Sequence, residues 1–348
     1  MCPATWCVLA KKANPQQAVL KARVKLHQQD LEAGQEASQC NLEARIDARR
    51  GILAPGKSPN LLFEQQSPAF LLLGYGASRW APATVGGNDN PTVRDRARAP
   101  RYQRVAGLFE DNYGLMPIES WFYQLVYKHP QMSAKVADLI GQLLPDEIEM
   151  QLLGPMFDAM ANGSSPTPPL TFKMNGVSLP LDAYSDGYRN YIAWIADMVY
   201  HLWRCCPEGM ELTDLHGVVL VDEIDLHLHP TWQQRVIEKC SSVLKNLQFI
   251  CTSHSPLVVG SLFQANVFVL QEQDGRGPVV SRLDVNPRGL DADQLLLTPL
   301  FGMESTRVAA FHGKVDELYS KALDGDDHAA LEIMRLYTNG VPDEREAG

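Results

Sequence analysis

The stretch from Gly217 to Pro256 constrains the fold more than any other. Gly217-Val218-Val219-Leu220-Val221 is a short unbroken apolar run dominated by β-branched residues, the pattern of a strand buried on both faces of a parallel sheet. Asp222 and Glu223 follow it directly. Carboxylates at the carboxyl end of such a strand lie where open α/β sheets bind ligands, and because buried acids need partners they imply a cation, a water or a basic group nearby. Pro230 suits the first position of a helix running through Thr231 to Ile237. Gln248-Phe249-Ile250-Cys251 is a second buried strand, ending in the polar tip Thr252-Ser253-His254-Ser255-Pro256. Strand with two acids, helix, strand with a histidine tip: the stretch is one βαβ unit.

Upstream, Leu170 to Met174 and Val177 to Leu179 flank Asn175-Gly176, a dipeptide that takes the positive φ angles of a type I′ turn at low cost, so a hairpin is expected. It delivers the chain to Ser185, a good N-cap for an amphipathic helix from Gly187 to Arg204 with Tyr188, Ile192, Ile195, Val199 and Leu202 on one side. A polar cap with glycine at a helix start is a fair anion site.

These elements, in this order, resemble ABC-type ATPases. Val219 to Glu223 looks like their Walker B strand, Asp225 falls at the D-loop aspartate, His254 matches the switch histidine, and Ser185-Asp186-Gly187-Tyr188-Arg189 resembles a divergent signature motif. The set is similar to the AAA_21 and AAA_15 group, which sits with the overcoming-lysogenisation-defect, RecF and SMC-like ATPases and contains many bacterial anti-phage and toxin-system proteins. The resemblance implies an α/β, P-loop NTPase-like ABC ATPase head with a mainly parallel central sheet flanked by helices, plus a helical insert.

It also implies roles for single residues. Asp222 would hold Mg²⁺, Glu223 would polarise the attacking water, and His254 would sense the γ-phosphate of ATP. Ser185 and Gly187 would face the nucleotide of a second copy, with Asp225 lining the same interface, so that a homodimer closes around ATP. A separate effector protein, a nuclease or toxin, is implied because no effector motif is visible in the chain. Two other readings stand beside this one: a DNA-repair ATPase like RecF or SMC heads, and a non-hydrolysing interaction protein lacking a true P-loop.

The phosphate loop is the open question. Gly51-Ile52-Leu53-Ala54-Pro55-Gly56-Lys57-Ser58 fits G-x-x-x-x-G-K-S letter for letter, yet Asp47-Ala48-Arg49-Arg50 is no buried strand and Ser58-Pro59-Asn60 begins a loop where a helix should start. The alternative is that the true loop is absent, through truncation or a misassigned start, or is supplied by another chain. Gln16 to Arg50, rich in Ala, Gln, Glu, Lys and Arg, reads as one or two exposed helices. Phe70 to Leu73 is a buried strand ending in Gly74-Tyr75-Gly76, glycines that permit close backbone approach to a ligand or a neighbouring strand. Arg79 after it is either a phosphate contact or an exposed loop arginine.

Arg94, Arg96, Arg98, Arg101 and Arg104 lie in or just after a loop-like stretch; such a run suits a solvated loop or, if it binds anything, the phosphates of nucleic acid. Leu108 to Leu144 is helical in pattern and forms the expected insert. Val267 to Leu270 and Val279 to Leu283 are expected to complete the sheet, with closing helices at 291–297 and 307–337. The expected organisation is an N-terminal segment at 1–67, strand plus insert at 68–160, an ATPase core at 161–303 and C-terminal helices at 304–348.

A net charge of −10 argues against a whole-surface nucleic-acid binder. No run approaches the ~20 apolar residues of a membrane span and no signal peptide opens the chain, which together suggest a cytoplasmic protein. Seven cysteines without CxxC spacing argue against a disulfide framework or zinc ribbon. His227 and His229 lack further ligands at zinc spacing, so packing or hydrogen bonding is their expected role.

Overall fold

The computed structural model describes residues 71–80, 103–110, 113–151, 170–273, 277–282, 284–303, 305–306 and 309–339, together with the backbone of four strands nearer the N-terminus. The chain divides into two compact units, Met1–Val258 and Val259–Gly348.

The four strands are β1 (Lys11–Lys12), β2 (Gln17–Lys25), β3 (Gln39–Asp47) and β4 (Leu53–Pro55), which form an antiparallel sheet in sequence order. The helices expected between Gln16 and Arg50 are therefore replaced by strands. Helix-favouring composition was outweighed by a period of two: Leu20, Ala22 and Val24 alternate with charged residues, Cys40, Leu42, Ala44 and Ile46 with polar ones, and the register sets Leu20 opposite Ala44 and Ala22 opposite Leu42. The middle of the Gly51–Ser58 match falls in β4, paired with β3 from Leu53↔Ile46 to Pro55↔Ala44. An extended strand does not curl around an anion as a phosphate loop must. Its remaining positions, Lys57 among them, lie outside the described residues, as do Arg94, Arg96, Arg98 and Arg101.

The core of the first unit begins with β5 (Leu71–Tyr75), followed by α1 (Ile118–Lys128) and α2 (Pro130–Leu143). Ile118, Trp121, Phe122 and Leu125 make one buried stripe on α1, and Val136, Leu139, Ile140 and Leu143 another on α2. Strand β6 (Ile148–Gln151) pairs with the expected hairpin, β7 (Thr171–Met174) and β8 (Val177–Pro180), whose turn has Asn175 at φ 51° and Gly176 at φ 85°. Helix α3 (Asp186–Cys205) comes next. Every residue from Tyr191 to Val199 on it is buried, so it is enclosed rather than one-sided: α1 and α2 cover it on one side and the sheet on another. The helices expected as an insert thus share one core with the sheet.

Strand β9 (Gly217–Val221) leads through α4 (Pro230–Gln233) and α5 (Val236–Val243) to β10 (Leu247–Cys251). The three strands form a parallel sheet in the order β10-β9-β5. Register aligns their ends: Tyr75 and Cys251 both pair with Val221. The loops leaving all three strands therefore start from one row at the carboxyl edge. A short helix, α6 (Pro256–Gly260), follows.

In the second unit β11 (Phe268–Gln273) and β12 (Gly277–Arg282) pair antiparallel with each other and do not extend the parallel sheet, contrary to expectation. Only Asp274-Gly275-Arg276 separates them, and a parallel pairing would need a crossover of a dozen residues or more. Helix α7 (Ala292–Leu296) opens with a capping box between Asp291 and Gln294. Helices α8 (Ala309–Leu323) and α9 (Asp327–Asn339) enclose a small core of Leu318, Ala329 and Leu336. No helix among the described residues is long and apolar enough to cross a membrane.

Candidate functional site

The site is built where the parallel sheet ends. The Asp222 N–H donates to the Tyr75 carbonyl at 2.8 Å and the Thr252 N–H to the Val221 carbonyl at 2.9 Å, so the ladder runs one step past each strand before the loops turn away. From there two loops are joined side chain by side chain. The Thr252 hydroxyl donates to Asp222 Oδ1 at 2.5 Å and accepts the Glu223 N–H at 2.8 Å. The Ser253 hydroxyl donates to Asp225. His254 Nε2 stands 3.3 Å from Glu223 Oε1.

Glu223 after one strand and the imidazole after the next are thus in contact. Their exposure differs: the Glu223 side chain is 29% exposed while His254 is 88% exposed, open to a ligand arriving from solvent. Asp222 is also exposed. An exposed carboxylate beside a hydroxyl suits a hard cation that brings its own waters and phosphate ligands, since magnesium takes few protein carboxylates. Among the described residues no group of three or more His, Cys, Asp or Glu could hold a metal by itself.

Behind these groups is a supporting layer that the motif pattern did not reveal. Ser255 is buried, its hydroxyl donating to Gln233 Oε1 at 2.7 Å and accepting the Leu257 N–H at 3.1 Å. The Gln233 amide in turn donates to the Leu228 carbonyl at 3.1 Å and the Asp225 carbonyl at 3.3 Å. One glutamine on α4 therefore ties the histidine loop to the acid loop.

Arg79 belongs to neither of the alternatives the sequence suggested. It is buried, with Nη1 donating to the Asp222 carbonyl at 2.6 Å and the Gly76 carbonyl at 3.2 Å, and Nη2 donating to the Glu223 carbonyl at 2.6 Å. Its guanidinium lies over the Trp194 ring, 5.7 Å from the centroid. Burial lowers its pKa to about 10, opposed by Cys251 and the acids Asp225, Asp222 and Glu223, and it stays charged at neutral pH.

The glycines beside it serve packing. A Cβ on Gly76 would stand 2.1 Å from the Gly107 carbonyl oxygen, so the close approach is to a neighbouring turn. Tyr75 between them donates its hydroxyl to Asp197 Oδ2 at 3.0 Å, and Asp197 also accepts the Met116 N–H at 2.7 Å. A buried carboxylate on α3 is satisfied in this way by the end of β5 and the segment that leads into α1.

Ser185 is the exposed N-cap of α3, and its hydroxyl makes no capping bond. Asp186, also exposed, pairs with Arg189 at 2.6 Å. Gly187 packs against the acid loop of its own chain: a Cβ there would lie 2.6 Å from the His227 carbonyl oxygen. The helix start and the Asp222–His229 turn are therefore neighbours. His229 caps α4, with Nδ1 2.9 Å from the Thr231 hydroxyl and accepting the Thr231 N–H at 3.4 Å, a hydrogen-bonding role in line with expectation.

Residues 162–260 match a family model, AAA_21, described as "AAA domain, putative AbiEii toxin, Type IV TA system". That span contains the hairpin, α3 and both site loops. The chain is also similar to two curated proteins. The chain is 42% identical over 97 residues to "Retron Ec83 probable ATPase" of Escherichia coli, covering 28% of this chain and 18% of that protein. It is 26% identical over 247 residues to "Septu protein PtuA" of Bacillus mycoides, covering 69% of this chain and 30% of that protein. The chain thus spans less than a third of the length of these curated relatives. Among solved structures, an SMC head bound to the C-terminal winged-helix domain of ScpA aligns with a TM-score of 0.42 at 15% identity, over 78% of this chain and 77% of that one.

Proposed function

We propose that this chain carries the hydrolytic half of an ATPase site and that it turns over ATP with magnesium in a nucleotide-bridged homodimer. The observation that carries this reading is the 3.3 Å contact between Glu223 and His254 at the carboxyl edge of the parallel sheet, with Asp222 one residue before the glutamate. Phosphoryl transfer asks a protein for position and charge more than for covalent chemistry. Magnesium, bound through Asp222 and water, would supply charge neutralisation on the phosphates.

Glu223 orients the attacking water and takes up its proton as the water oxygen bonds to the γ-phosphorus and the bond from that phosphorus to the bridging oxygen breaks, releasing ADP and phosphate. The exposed His254 donates a hydrogen bond to the γ-phosphate and registers its presence. Ser185 and the N–H groups at the start of α3, Gly187 among them, face the nucleotide held by a second copy, since a helix N-terminus with an uncommitted hydroxyl favours an anion. Asp225, on the turn packed beside that helix start, lines the same interface. Nucleotide then joins the two copies and its hydrolysis parts them.

In biological role, the reading is the one that the sequence resemblance implies, anti-phage defence with a separate effector, a nuclease or toxin, and the similarity to a retron protein and a Septu protein is compatible with it. Steady-state ATP hydrolysis by the purified chain and by Glu223→Gln tests the chemistry. The variant is expected to bind ATP as the parent does, to lose about 10²-fold or more in turnover, and to accumulate as a dimer with ATP. Undiminished hydrolysis would remove Glu223 from the mechanism.

A further inference from the structure

Glu223 has a backbone conformation that its side chain does not favour. Its φ is 49°, in the left-handed region where a residue with a Cβ is strained. Such a conformation persists only when its surroundings fix it on both sides. On the amino side the Glu223 N–H is held by the Thr252 hydroxyl at 2.8 Å. On the carboxyl side the Glu223 carbonyl is held at 2.6 Å by Arg79, which also holds the preceding carbonyl, that of Asp222, at 2.6 Å.

We infer that Arg79 is a positioning residue: its guanidinium grips the two carbonyls flanking the Glu223 N–H and so fixes the left-handed turn that aims the Glu223 carboxylate at His254. The clamp needs a planar fork with several donors in fixed geometry, which arginine has and lysine lacks. It also needs an anchor, and the Trp194 ring on α3 with the Gly76 carbonyl supplies one. Arg79 touches main chain only at this site and acts through Glu223. The catalytic consequence rests on the ATPase reading; the conformational one does not.

Two arms test it, on the full chain. In crystal structures of Arg79→Lys and Arg79→Met, Glu223 is expected to leave the positive-φ region and its carboxylate to move out of contact with His254. Retention of both in the two variants overturns the inference, whatever the protein does with ATP. In the kinetic arm Arg79→Met is expected to lower kcat by about 10²-fold with KM for ATP changed less than about threefold, because a misplaced base costs turnover more than binding. Arg79→Lys, which keeps the charge and most of the packing, should fall between. Adding Arg79→Met to Glu223→Gln should cost little more than Glu223→Gln alone, since both act through one group.

A parent that hydrolyses ATP, with Arg79 variants of undiminished kcat or multiplicative losses in the double variant, sinks the positioning role and leaves the ATPase reading standing. A parent that hydrolyses nothing sinks the ATPase reading, and the crystal structures still decide what Arg79 holds.

Discussion

Gly187 offers a test in which two effects oppose each other. Alanine in place of glycine in a helix ordinarily stabilises by about 0.5–1 kcal/mol through the unfolded chain's lost freedom. At Gly187 the added Cβ would meet the His227 carbonyl oxygen at 2.6 Å, where real contacts stay beyond 3.0 Å, so helix start and acid loop must separate. Overpacking of this kind costs about 1–3 kcal/mol, and a carbonyl oxygen on a turn cannot rotate aside as a side-chain tip can. The net expectation is a loss of about 1 kcal/mol, or about 2–4 °C in Tm for a unit of this size. Gly141 on α2 is the control, because a Cβ there meets nothing within 4 Å. Gly141→Ala should raise Tm by about 1–4 °C. Thermal unfolding of both variants without nucleotide is the assay. If Gly187→Ala proves as stabilising as Gly141→Ala, the glycine is not held by packing within its own chain.

Other expectations are more local. Tyr75→Phe removes the 3.0 Å bond to buried Asp197 and should cost about 1.5–3 kcal/mol in urea unfolding; an effect below ~0.5 kcal/mol would mean that the bond is not part of the folded state's stability. Glu119 has its carboxyl raised above the ordinary 4.5, chiefly by burial, with its own backbone N–H opposing. Its proton is held more tightly in the folded protein than in the unfolded chain, so stability falls as pH rises through the window above 4.5. Glu119→Gln should therefore gain stability at pH 7 and lose that advantage below about pH 4; a pH-independent difference would contradict the assignment. Burial pushes the Cys240 thiol up to about 12, so it should resist a thiol reagent at pH 8 until the protein unfolds, and its rapid labelling in the native state would refute that burial.

What could be read from the chain and what could not divide along the range of the interactions. The strand Gly217–Val221 and its acids were legible because a strand buried on both faces leaves an unbroken apolar run. The turn at Asn175-Gly176 was legible because two positive φ angles demand those residue types. Strands β2 and β3 were misread as helix because Lys, Glu, Gln and Ala weighed more than the alternation of Leu20, Ala22 and Val24 with charged neighbours. The partners of the acids were hidden for another reason. Thr252 and Ser253 stood in the noticed tip, yet only the parallel register of β9 and β10 brings them opposite Asp222 and Asp225. Arg79 lies 144 positions from Glu223, and no local pattern distinguishes an arginine that holds distant carbonyls from one on a surface loop.

The claim on which most depends is that the acid loop and the histidine loop share one nucleotide. A crystal structure of Glu223→Gln with ATP and Mg²⁺ measures it directly. The account predicts the γ-phosphate within hydrogen-bonding distance of His254, the metal on the Asp222 side, and Ser185 of a second copy against the same phosphate. Nucleotide bound elsewhere on the chain, with Asp222 and His254 both untouched, would contradict it.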